Sequence, residues 1–236
     1  MYQQKENILP AMKAIAKTAS SYLPVINCAI NFYEEKRNQE TQRKLRRLGA
    51  FCISLSESLK RIENKINDDF IRKDEFEDIF EKTAENVMNE FREEKRHCFQ
   101  NILVNSITTS SCAYDKTEKY LRILDNMGWI ELRVLGVLNN PSKYNEDRGC
   151  IIKDANVGNN YIGIGLSGQN GVDILTQLLN ENKEEIADAL YYLENSRLII
   201  KQSDAIHTQS AGNPIHILDN MLTSKGKDFI SFIKQE

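Results

Sequence analysis

Residues 45–66 read LRRLGAFCISLSESLKRIENKI. Apolar side chains stand at Leu45, Leu48, Cys52, Leu55, Leu59, Ile62 and Ile66, alternating steps of three and four through three heptads. A helix returns to the same face at that spacing, so the stretch predicts a long amphipathic helix with one apolar seam, of the periodicity coiled coils use. Gly49 lies inside it, at about 1 kcal/mol relative to alanine. The seam has to be covered, by neighbouring helices of the same chain or by a second copy. Leu45, Leu48, Leu55, Leu59, Ile62 and Ile66 are therefore the candidate self-association positions, with packing inside a bundle the first expectation.

Downstream, residues 74–107 read DEFEDIFEKTAENVMNEFREEKRHCFQNILVNSI. Phe76, Ile79, Phe80, Val87, Met88, Phe91, Cys98, Ile102, Leu103 and Ile107 fall at mostly helical spacing, with Glu, Lys and Arg opposite them. This predicts a second amphipathic run, capped by Asp74, whose aromatic stripe faces a core rather than a cofactor. Shorter helices are expected at 117–126 and 130–138, the latter stopped by Asn139, Asn140 and Pro141.

From Pro141 to Val172 the texture turns to Asn and Gly with short β-prone pieces, Cys150-Ile151-Ile152 and Tyr161-Ile162-Gly163-Ile164. It reads as a linker or hairpin between two parts. Residues 163–168 match G-x-G-x-x-G, yet the acid a dinucleotide site needs about twenty residues on is Asp188, inside the helical stretch EEIADALYYLEN, so the match reads as a glycine-rich connection. Beyond it the pattern predicts helices at 172–179 and 183–195, a strand at 197–201, a polar loop at 202–214, a strand at 215–222 and a closing helix at 225–234. Two helices, a two-stranded ribbon and a closing helix make a winged helix.

The expected fold class is thus mainly α: a helical N-terminal bundle (1–140) containing the long amphipathic helix, a linker (141–171), and a C-terminal winged helix with a small β-ribbon (172–236). Within the last part, Leu222-Thr223-x-x-Gly226-x-x-Phe229 resembles the ending of many bacterial winged-helix domains, where the second ribbon strand turns into the last helix. The run 74–107, followed by YLRILDNMGWIELRVLGVL at 120–138, is similar to the helical layout of uncharacterised bacterial proteins related to the abortive-infection alpha family. The matching features are Glu94-Lys95-Arg96, Asn101-Ile102-Leu103, Asn105-Ser106 and the Leu132–Leu138 helix. The resemblance implies a phage-defence role and hands over no catalytic residue.

Composition and charge narrow the function classes. The chain has 236 residues with a formal charge of -3, which removes any global argument for nucleic acid and leaves only local patches. Residues 1–48 hold nine basic against four acidic side chains, whereas residues 166–236 hold six against ten. Lys36, Arg37, Arg43, Lys44, Arg46 and Arg47 form the one basic concentration, a solvated helix face or a contact for phosphate or lipid. Preceded by Ile8, Leu9, Met12, Ile15, Tyr22, Leu23, Val25, Ile26, Ile30 and Phe32, it also has the makings of a membrane-surface segment across 8–47. In the winged helix, a DNA contact would use Lys183, Arg197, Lys225 and Lys227, but Glu184, Glu185, Asp188 and Glu194 oppose a phosphate backbone.

Five scattered cysteines without a C-x-x-C pair suggest a reduced, cytoplasmic protein, peripheral at the membrane if the 8–47 segment binds lipid. His97, His207 and His216 have no helical partner or finger spacing, and Walker A, G-x-S-x-G and HExxH sequences are absent. No cofactor, metal or enzymatic activity is expected. The partner is expected to be another protein or a second copy, with duplex DNA, read by a transcription regulator, and a membrane surface as the alternatives.

Overall fold

The computed structural model describes residues 8–19, 21–36, 40–108, 114–147, 171–200, 218 and 220–234. Among these the chain is mainly helical: α1 (Ile8–Ala16), α2 (Leu23–Lys36), α3 (Gln42–Arg61), α4 (Asp74–Asn89), α5 (Glu93–Thr108), α6 (Tyr114–Asn126), α7 (Trp129–Asn139), α8 (Pro141–Asp147), α9 (Gly171–Leu179), α10 (Lys183–Asn195) and α11 (Ser224–Ile233). The chain divides into two compact units, Met1–Asn126 with Phe232–Glu236, and Met127–Ser231.

The first unit is a helical bundle built around α3, which packs on α1, α2, α4 and α5. Leu45, Leu48, Cys52, Leu55 and Leu59 are all buried, so of the two coverings left open by the periodicity, the chain supplies its own. The seam is shorter than expected because α3 ends at Arg61. Ile62 leaves helical geometry at φ -112°, a short 3-10 turn covers Glu63–Lys65, and both Ile62 and Ile66 stay half-buried. Inside, Phe80 meets Phe32 edge-on at 6.1 Å and is flanked by Phe51 and Phe76, with Phe70 against Phe76. Each fully buried ring contributes about 1.5–3 kcal/mol, plus a smaller gain from ring geometry.

The amphipathic run 74–107 is two helices rather than one. Asn89 ends α4, Glu90 is extended at φ -74°, ψ 128°, and α5 restarts at Glu93. Two interactions hold the break. Arg47 donates Nη1–H to the Met88 and Asn89 carbonyls at 2.8 and 3.2 Å, satisfying the open end of α4. The Glu90 carboxylate accepts the Arg92 backbone N–H at 2.8 Å, satisfying a donor before α5. Phe91, expected in the core stripe, is consequently 67% exposed. Asp74 is the first helical residue of α4 and Lys73 its cap position; Asp74, Glu75 and Glu77 favour the positive helix end by charge instead.

The last turn of α11 also belongs to this unit. Asn101 and Asn105, one turn apart on α5, donate to the carbonyls of Ile233 (2.9 Å), Phe232 (2.8 Å) and Lys234 (3.2 Å), and Tyr120 meets the Phe232 ring at 5.3 Å. These bonds satisfy carbonyls that a helix end leaves open.

In the second unit α7, α9 and α10 pack together, and α8 lies on α7. Helix α7, assigned from sequence to the N-terminal bundle, joins the C-terminal elements here. Pro141 starts α8 rather than merely stopping α7: it occupies a position that needs no N–H donor, and Asn140 accepts the Lys143 N–H at 3.2 Å. Part of the expected linker is therefore helix; residues 148–170, with the G-x-G-x-x-G match, lie outside the described residues. The expected wing loop lies outside them as well.

Candidate functional site

The junction after α10 explains a motif residue by residue. Ile199 and Leu222 form one antiparallel bridge, flanked by Ile200 N–H to the Met221 carbonyl at 2.8 Å and Thr223 N–H to the Leu198 carbonyl at 3.0 Å. Thr223 then turns the chain into α11: its hydroxyl donates to the Arg197 carbonyl at 2.7 Å and accepts the Gly226 N–H at 2.9 Å. Gly226 cannot carry a side chain, since a Cβ there would collide with the Leu198 carbonyl oxygen. Phe229, three residues on, is fully buried. Leu222, Thr223, Gly226 and Phe229 thus each have a physical task where two backbone segments meet.

This junction positions α10. Asn182 caps it by accepting the Glu184 N–H at 2.8 Å, and Ile186, Ala189, Leu190 and Leu193 are buried. Its opposite face carries Glu184, Glu185, Asp188 and the exposed ring of Tyr191, 69% accessible. Of the four basic residues considered for DNA, Lys183 pairs with Asp173 at 2.7 Å and Lys225 donates to the Ser196 carbonyl. Arg197 and Lys227 are exposed, with Arg197 in the left-handed region at φ 57°. Arg133, a residue the sequence did not single out, pairs with Glu181 and donates to the Leu179 carbonyl at 2.7 Å, closing the end of α9.

The basic concentration of the first unit is dispersed by its surroundings. Lys36 lies between Glu35 (3.7 Å) and Glu85 (3.6 Å) and over the Phe32 ring. Lys44 pairs with Glu40 at 3.2 Å, Arg46 turns back to the Gln42 carbonyl, and Arg37 lies outside the described residues. Arg43 is exposed and Arg47 caps α4. The sequence did not single out Arg92 as a site residue, and it placed Arg96 only in the family resemblance. The Arg92 guanidinium lies 4.9 Å over the Phe91 ring, and Arg96 donates to the Glu90 and Phe91 carbonyls at 3.3 and 2.7 Å. Arg92 is one residue and Arg96 five residues from Phe91, and the amphipathic spacing of the run does not show the break at Glu90 that both arginines flank.

Six of the ten apolar residues named for a membrane contact in the 8–36 segment are spent on packing, and Leu9, Ile15 and Leu23 are half-buried. Met12, Tyr22, Val25, Ile26, Ile30 and Phe32 are buried in the bundle. No helix among the described residues is long and apolar enough to cross a membrane.

Two constellations invite a catalytic reading, and their electrostatics oppose it. Lys82 donates to Asp78 (2.8 Å), Tyr114 (3.0 Å) and Glu118 (3.0 Å), and Tyr114 donates to Asp78. The Asp78 hydrogen bond holds the Lys82 ammonium above its ordinary pKa and raises the Tyr114 phenol, so neither is a base near neutrality. The cluster ties α4 to α6. Burial pushes the Cys28 thiol up to about 12, with Glu77 and Glu81 adding, and the Cys98 thiol up to about 11; Cys52 is raised for the same reason. Thiols so raised are poor nucleophiles. Among the described residues no group of His, Cys, Asp and Glu could hold a metal ion. Comparison with protein-family models, with curated proteins and with solved structures finds no match.

Proposed function

We propose that the chain is a non-enzymatic interaction protein whose C-terminal unit is an acidic winged helix that docks another protein through α10. The observation that carries this reading is the outward face of α10, where Glu184, Glu185 and Asp188 surround exposed Tyr191 while Lys183 is occupied by Asp173. A helix aimed at the major groove presents cations and amides, and this one would repel phosphates. An exposed ring set in charged residues suits a protein interface, because it supplies apolar contact area at little cost in side-chain freedom. The winged-helix assignment is supported by the packing of α7, α9 and α10, the antiparallel bridge that follows and the Thr223–Gly226 turn into α11. The non-enzymatic part is supported by the raised thiols and the saturated Lys82 cluster. A role in a bacterial phage-defence system is supported by the resemblance of 74–107 and 120–138 to the abortive-infection alpha family.

The test is capture from the native host by the full chain, wild type against Asp188→Lys/Tyr191→Ala. A host protein retained by the wild type and lost by the variant is the expected result. Equal capture by both removes α10 as the docking face. Retention of duplex DNA that disappears in Arg197→Gln/Lys227→Gln would replace the reading with that of a transcription regulator. Hydrolase, nucleotide or nuclease turnover abolished by one substitution would refute the non-enzymatic part.

A further inference from the structure

Arginines from α3 and α5 meet at the loop between α4 and α5, in an arrangement that the docking of α10 does not use. Arg47 and Arg96 each spend Nη1 on backbone carbonyls of residues 88–91, and Arg43 stands exposed one turn before Arg47. None of the three has a carboxylate within ion-pair distance among the described residues, whereas Lys13, Lys36, Lys82 and Lys183 each do. Their charges are close enough to be felt. The Arg47 guanidinium is held below its ordinary pKa by burial, then by Arg96 and Arg43, with Glu90 opposing. Glu90 is itself committed, one oxygen to the Arg92 N–H and the other to Lys95 at 3.4 Å.

A carbonyl positions a guanidinium without neutralising it, so this loop keeps like charges in one neighbourhood. An incoming oxyanion would offset that repulsion. It would also find N–H donors at Nε and Nη2 of Arg47 and Arg96 that the carbonyl bonds leave unused. Three guanidiniums exceed what a carboxylate needs, since one fork satisfies its two oxygens; a phosphoryl group offers three oxygens and up to about two charges. Beside them lies Phe91, the exposed ring capped on one face by Arg92.

We propose that Arg43, Arg47 and Arg96 form a binding site for a phosphoryl oxyanion, with Phe91 the adjoining apolar contact for the group that carries it. The oxyanion is either a free phosphate compound or the headgroup of a phosphate-bearing lipid. Phe91 separates the two sources, because its ring gains from entering an acyl boundary and gains nothing from inorganic phosphate.

The experiment uses the full chain. Inorganic phosphate is titrated while the arginine side-chain N–H resonances and the melting temperature are followed, and phosphatidylcholine vesicles with and without phosphatidic acid are offered in flotation. The expected result is a saturable shift of the Arg47 and Arg96 resonances and a rise in melting temperature with phosphate, because a ligand of the folded state stabilises it. Arg43→Gln, which leaves the α4 cap untouched, should bind about tenfold more weakly, the cost of one charge-assisted hydrogen bond. Lys60→Gln, on the far turn of α3, should bind as the wild type does. If flotation depends on phosphatidic acid and falls in Phe91→Ala, the source is lipid; if phosphate shifts the resonances and vesicles do not float the chain, the source is a free compound. No saturable shift with phosphate together with no phosphatidic acid-dependent flotation overturns the proposal. So does equal binding by Arg43→Gln and the wild type, and so does retention of a single-stranded oligonucleotide with neither of the other two probes bound.

Discussion

The two units are stabilised from different materials. The first surrounds Phe80 with other aromatic rings and fills the rest of its core from α1 to α6. The second has a mostly aliphatic core of Val134, Leu135, Ile174, Leu178, Ile186 and Leu193 joined by the ring of Phe229, and depends at its junction on backbone touching backbone at Gly226. Their surfaces differ in sign at the places where a large ring meets solvent: Phe91 stands among arginines and Tyr191 among acids. Buried apolar spacing makes α3 and α10 alike as helices, while the solvent-facing residues, which cost the fold little, set what each surface can attract.

The strongest way to break the comparison is Leu55→Asp. Leu55 is fully buried within the chain, and an unpaired buried carboxylate costs several kcal/mol, so the first unit should lose its helical signal in circular dichroism. A folded monomer with an unchanged helical signal would return the seam to an interface between copies. Next in size is Gly226→Ala. The added Cβ has to displace the Leu198 carbonyl, and a cost of about 1–3 kcal/mol is expected, confined to amide exchange protection in the second unit. Uniform loss of protection across both units would contradict a local junction.

Arg47→Gln should cost about 1 kcal/mol through loss of the α4 cap, while Lys44→Gln, which breaks only a half-buried ion pair with Glu40 one turn away, should change stability by roughly a few tenths of a kcal/mol at most, as read from denaturant midpoints. Equal effects would show that the two basic positions are interchangeable. The smallest effect belongs to the Lys82 cluster. Burial alone would raise the Asp78 pKa, but hydrogen bonds from Lys82 and Tyr114 outweigh it and leave the carboxyl below its ordinary value. A depressed folded pKa contributes stability above the unfolded value of about 3.9 that is lost as pH falls through the folded one. Asp78→Asn should therefore lower stability slightly near neutrality, where the contribution is fully present, and flatten the acid limb of the profile below about pH 4, where the wild type loses it, as followed by urea titration.

Amide and hydroxyl groups show how local information grades into tertiary information. Thr223, Gly226 and Phe229 were recognisable as a motif, yet only the approach of the Leu198 carbonyl explains why position 226 has no side chain. Asn101 and Asn105 are features of the family resemblance, and their work, holding the open carbonyls at the end of α11, depends on residues more than a hundred positions away. Arg43 and Arg47 belong to one charge run; Arg96 becomes their companion only because the α4–α5 break brings the loop carbonyls to both Arg47 and Arg96.

What the sequence by itself determined is the helical periodicity: the buried seam of α3, the inward stripes of α4, α5 and α10, and the acidic face of α10 all follow from residues three and four apart, and that spacing acts within one helix. Only the tertiary structure decided where helices end and which charges stay unpaired. The break at Glu90 needs Arg47 from another helix, the end of α9 needs Arg133, and Lys36 is neutralised by Glu85 from α4. Open carbonyls and unpaired charges are satisfied by whatever the fold brings within hydrogen-bonding reach, and that reach is measured in space rather than along the chain.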